Sequence, residues 1–85
     1  MKHAGPQTLV TLAPLLSKVR QQRGLVERTP GSFYRRSKAY LHFHEDVHGI
    51  FADIKLNGIE FTRLQITTAE EQSHLLSLIA QSAAP

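Results

Sequence analysis

The chain has 85 residues, a formal net charge of +3 and no cysteine, which excludes disulfides and thiolate metal sites and makes a cytoplasmic setting the expectation. No stretch approaches the roughly 18 apolar residues of a membrane span, and the apolar run from Leu9 to Leu16 is broken by Thr11 and Pro14, so neither a span nor a signal peptide is expected. A single domain of this size buries roughly 60–65% of the surface that its unfolded chain exposes, and dimerisation is an ordinary way to bury more.

Residues 1–8 are polar and interrupted by Gly5-Pro6, so a flexible arm is expected there, with one α+β domain over residues 9–82 and a frayed tail at 83–85. The first helix is expected from about Leu12 to Gln22, with Thr11 as its cap and Pro14 tolerated in its first turn. Leu12, Leu15, Leu16 and Val19 give it one apolar stripe, and Gly24 is a natural stop. Leu25–Arg28 is a short extended piece ending in the turn Thr29-Pro30-Gly31. Ser32–Arg36 and Ala39–His44 read as strands joined by Ser37-Lys38, a pair that lacks the usual Asn-Gly chemistry.

A polar turn at His44–Gly49 leads to a strand over Gly49–Leu56. Asn57-Gly58 then predicts a primed two-residue turn and a return strand over Ile59–Ile66. Thr68 with Glu71 forms a capping box for a last helix from about Ala69 to Ala80, whose buried stripe is Leu75, Leu76 and Ile79. The expected architecture is α+β: helix, a four- to five-stranded antiparallel meander, helix, in two layers with both helices on one sheet face.

The other face holds the candidate chemistry. Side chains alternate along a strand, so Leu41 and Phe43 point one way and Tyr40, His42 and His44 the other. Ile50, Ala52, Ile54 and Leu56 likewise oppose Phe51, Asp53 and Lys55. With Phe61 and Arg63 from the return strand, this face carries more aromatic surface than a solvated sheet needs, which points to a covering partner. Tyr40, His42, His44, Asp53 and Arg63 are the candidate ligand-binding residues.

His42-x-His44 on a strand projects two imidazoles about 6.5–7 Å apart, close enough to chelate one metal ion. Asp53 on the neighbouring strand would complete a set of two histidines and one carboxylate. No third imidazole is evident on a strand, and the competing reading is a pair of half-buried histidines bonded to Asp53 or Tyr40. Glu45, Asp46 and His48 read as turn formers. No nucleophile arrangement, P-loop or G-x-G-x-x-G is present, so no catalytic residue is assigned and no cofactor is named.

Six of the ten basic residues fall between Arg20 and Lys38, with Glu27 the one acid among them. Tyr34, Arg35, Arg36, Lys38 and Tyr40 mix bases with aromatics as single-strand nucleic-acid surfaces do. The mild total charge and the lack of a nucleic-acid motif favour instead a solvated face, with Arg28, Arg35 and Arg63 paired to Glu27, Asp53 and Glu60 across strands.

Gly31, Phe33, His42, His44, Ala52 and Asp53 fall in a G-x-F, H-x-H, A-D pattern. In this central third the chain resembles small bacterial α+β domains, chiefly the domain labelled luciferase-associated. In its order of elements it is also similar to the YjbR type. Neither resemblance implies a reaction. The function expected is a non-enzymatic binding module that associates with itself or a protein partner through the open sheet face. The alternative is a metal- or small-ligand-binding domain, or an enzyme, centred on His42, His44 and Asp53.

Overall fold

A computed structural model describes residues 1–82. In chain order the elements are β1 (Lys2–His3), α1 (Pro6–Thr11), α2 (Ala13–Arg20), β2 (Leu25–Thr29), β3 (Ser32–Arg35), β4 (Lys38–Asp46), β5 (Gly49–Ile54), β6 (Thr62–Gln65) and α3 (Ala69–Ser82). β2 to β6 form an antiparallel meander in sequence order, and β1 adds to β4. The α+β architecture is the one expected. Among the described residues no helix is long and apolar enough to cross a membrane.

The core follows from the alternation. The pairs Phe33↔Leu41↔Ile54 and Phe43↔Ala52↔Leu64 stand in two rows on one face. Leu12, between α1 and α2, and Leu15, Leu16 and Val19 of α2 cover that face with Leu75 and Ile79 from α3. The capping box closes α3 reciprocally: Glu71 N donates to Thr68 Oγ1 at 3.1 Å, and Thr68 N donates to Glu71 Oε1 at 2.9 Å. Gly49 turns β4 into β5 with φ of 140°, and a Cβ there would run into Thr67 Oγ1 and Gln65 Nε2.

Four expectations need correction. Residues 1–8 are no loose arm: Lys2 and His3 pair with Glu45 and His44, and Pro6–Thr11 is a helix. Ala4 N donates to Phe43 O at 3.0 Å, and Gly5 N to Glu45 Oε2 at 2.6 Å, so the N-terminus is tied to β4 at four successive residues. The helix expected from Leu12 is α2, but Thr11 does not cap it: Thr11 ends α1 with its Oγ1 donating to Gln7 O at 3.3 Å, and Leu12 stands at the N-cap of α2, two residues before Pro14, whose missing N–H cannot continue the α1 ladder.

The hairpin connection after β3 is Arg36-Ser37, one residue earlier than expected, with φ of 51° and 67°. Asn57-Gly58 makes no two-residue hairpin. Only Gly58 of the pair has positive φ, Asn57 Oδ1 accepts from Ile59 N and Glu60 N, and the β5–β6 connection runs over residues 55–61. Asn57 thus spends its side chain on a local turn, the other conformation in which this residue is favoured. The tail expected at 83–85 lies outside the described residues.

Candidate metal centre

β4 and β5 pair in unbroken register from Leu41↔Ile54 to Asp46↔Gly49, and this fixes what stands on the face away from the helices. His42 lies opposite Asp53, and Asp53 opposite Arg63. One step along, His3 lies opposite His44, and His44 opposite Phe51. Directly opposed residues share a face with Cβ atoms about 4.5–5.5 Å apart, so the two rows stack three imidazoles, a carboxylate and a guanidinium together.

The side chains converge. The ring nitrogens of His3, His42 and His44 that could bind a metal all lie within 4.8 Å of one another. His42 Nδ1 and His44 Nε2 are 2.8 Å apart and share a hydrogen bond, one ring donating and the other accepting. The His3 ring centroid is 4.5 Å from that of His44 and 5.9 Å from that of His42. Phe61, from the β5–β6 connection, stands edge-on to His42 at 4.8 Å. Lys55 Nζ lies over the Phe61 ring, 4.8 Å from its centroid.

Asp53 is 7% exposed, the one buried charged residue of the described chain. Arg63 grips it in a fork, with Nε donating to Oδ1 at 2.7 Å and Nη2 to Oδ2 at 2.8 Å. Oδ2 also lies 3.3 Å from His44 Nε2. The fork holds the Asp53 carboxyl below its ordinary pKa against the opposing effect of burial. Burial pushes the pKa of His42 and His44 below the usual histidine value, and the Asp53 charge opposes this without reversing it. Both shifts favour the neutral ring, the form that ligates a metal.

Of the expected site residues, His42, His44, Asp53 and Arg63 come together and Tyr40 does not. Ala39 pairs with Tyr34 and Leu41 with Phe33, so β4 carries one extra residue at this step, and it is Tyr40. A bulge breaks the alternation that the sequence reading assumed. Tyr40 is 4% exposed in the core, its hydroxyl bonded to Ser82 Oγ of α3 and its ring beneath the Arg35 guanidinium.

His3 is the residue that sequence reasoning missed. A two-residue strand has no periodicity to read, and the available signal was only a histidine beside a Gly-Pro start to a helix. Of the cross-strand ion pairs expected, Arg63–Asp53 forms, whereas Glu27 bonds Arg20 of α2. Asp46 and His48 close their own turn through Asp46 Oδ1 and His48 N, and Glu45 holds Gly5.

No known protein family, no curated protein and no solved structure matches the chain.

Proposed function

We propose that this domain binds a divalent transition-metal ion through His3, His42 and His44. The observation that carries the reading is the convergence of three imidazole nitrogens within 4.8 Å on one sheet face. Neutral imidazoles suit zinc, nickel, copper and iron, and a three-histidine set leaves coordination positions open. Tetrahedral ligation at about 2.0–2.1 Å sets ligand nitrogens about 3.3 Å apart. His42 and His44 open slightly from their mutual hydrogen bond to reach that spacing, and His3 closes in.

Asp53 takes a different part from the one first expected. Its two oxygens are already engaged by Arg63, so it stands beside the imidazoles as a fixed negative charge that favours a cation. Metal binding also adds a link between β1 and β4 beyond their backbone pairing, because His3 and the H-x-H pair come from these two strands. A bound ion therefore stabilises the fold in proportion to the logarithm of its free concentration over Kd.

Calorimetric titration of tag-free protein with zinc and nickel tests the reading. A 1:1 heat is expected that disappears in His42→Ala and weakens sharply in His3→Ala. The two histidines outside the cluster serve as controls, and His48→Ala and His74→Ala should leave the heat intact. No heat, or heat equally lost with His48, overturns the assignment.

Self-association through the same face is supported by Phe61, which is 39% exposed beside the histidines, and by Phe51 in the second row. Light scattering at micromolar concentration, with and without zinc, separates a metal-bridged dimer from one that needs only the aromatics.

A further inference from the structure

We infer that a cleft at the N-terminal end of β4, which none of the histidines lines, binds a small molecule carrying a phosphoryl group on an apolar body. The cleft has a volume of about 490 Å³, within the range of about 300–1,000 Å³ typical of small-ligand sites. Arg35 of β3, Arg36 of the following turn, Lys38 of β4 and Lys55 of the β5–β6 connection all line it, and no Asp or Glu does. Tyr40 and Leu56 supply its apolar lining.

Four cations in one concavity exceed the whole chain's net charge of +3. None of them takes part in the ion pairs of the described residues, which use Arg20, Arg63 and His44. Arg35 alone is tied by a hydrogen bond, from Nη1 to Ser82 O at 2.6 Å, which fixes its guanidinium at the cleft wall. Clustered like charges repel and focus an anion-attracting potential between low-dielectric walls. Guanidinium and ammonium donors at such a site match phosphate oxygens in charge and geometry.

A second observation points to the same place. Among the described residues, Arg36 and Ser37 are the two non-glycine residues with positive φ, and they are adjacent. A primed turn demands this conformation at both positions, and Asn-Gly would meet it with little strain. Here the turn carries an arginine at the cleft wall instead. Backbone strain of this kind persists where it places a functional side chain.

Phenyl phosphate, inorganic phosphate and a short oligothymidylate are the probes, followed by amide chemical shifts of the labelled protein at low ionic strength. Phenyl phosphate should give saturable shifts confined to residues 35–39 and 55–58, with inorganic phosphate weaker at the same amides. The double variant Arg36→Gln/Lys38→Gln changes exposed side chains only, and it should bind at least about tenfold more weakly through the loss of charge-assisted hydrogen bonds. His48→Ala, at a histidine outside both sites, should leave binding unchanged. Unsaturable shifts, or affinity unaltered in the double variant, overturn the inference. So does tighter binding of the oligothymidylate with shifts running on to Arg28 and Tyr34, which would mark a nucleic-acid surface.

Discussion

The two faces of this sheet share one backbone register and differ completely in what they do with it. On the helix-covered face the rows Phe33↔Leu41↔Ile54 and Phe43↔Ala52↔Leu64 are apolar throughout, and all but Leu64 are at most 3% exposed. On the other face the rows are His42↔Asp53↔Arg63 and His3↔His44↔Phe51. A sheet face left to solvent needs only polar side chains that stay hydrated. This one instead buries a carboxylate and half-buries two imidazoles, each desolvated at a cost that packing alone does not require. Packing accounts for the first face and does not account for the second.

Truncation tests that division most directly. Leu41→Ala removes a side chain that is 0% exposed at the centre of the covered face, and should cost about 2–5 kcal/mol in urea unfolding. His42→Ala, one residue along and pointing the other way, should cost less than about 1 kcal/mol while abolishing metal uptake. Equal costs would break the comparison, because the open face would then be a second core and the histidines structural.

The covered face was legible in the sequence because alternation held wherever the ladder is regular. β5 reads correctly from Ile50 to Ile54, so Asp53 falls opposite His42 as expected. Legibility failed where one residue breaks the count. The bulge at Tyr40 turns a predicted ligand into a core residue, and alternation contains no sign of it. The loop over residues 55–61 is longer than Asn57-Gly58 predicts, because an Asn side chain that bonds Ile59 N and Glu60 N competes with the primed turn. His3 was invisible for a different reason. Its place depends on a tertiary pairing of two residues with the far edge of β4, fixed by Glu45 and Phe43, which no local pattern announces.

A smaller effect sharpens the comparison on the open face. Asp53→Asn keeps the shape of the side chain and removes its charge, so the Arg63 fork loses both its ionic character and one acceptor. Hydrogen bonds to charged groups are worth about 1.5–3 kcal/mol. Arg63 is half in solvent, which screens the pair, so a loss of about 1–2 kcal/mol is expected in chemical denaturation. The Asp53 charge also pulls His42 and His44 toward protonation, and both should titrate at still lower pH in the variant, read from their ring resonances. Unmoved ring titrations would show that Asp53 and the histidines are neighbours without electrostatic coupling.

The smallest effect concerns the same chemistry placed on the covered side, where Arg20 of α2 grips Glu27 of β2 with bonds of 2.6 and 3.0 Å. Glu27 is more exposed than Asp53 and also accepts from Gly31 N at 2.9 Å. The bond to Arg20, helped by Gly31, lowers the Glu27 pKa below its ordinary 4.5 in the folded chain. A carboxyl whose folded pKa is depressed binds fewer protons folded than unfolded over that interval. Its contribution is therefore complete above the unfolded value and is lost as the pH falls through the folded one. Glu27→Gln, which retains an acceptor for Gly31 N, should thus be less stable than the parent by under about 1 kcal/mol at pH 7. The gap should stay constant down to about pH 5.5 and close on further acidification. Urea midpoints of the two proteins between pH 3 and pH 7 measure it. A gap that widened toward low pH would mean that the Arg20 fork does not stabilise ionised Glu27, and that the two forks are not the same device in two settings.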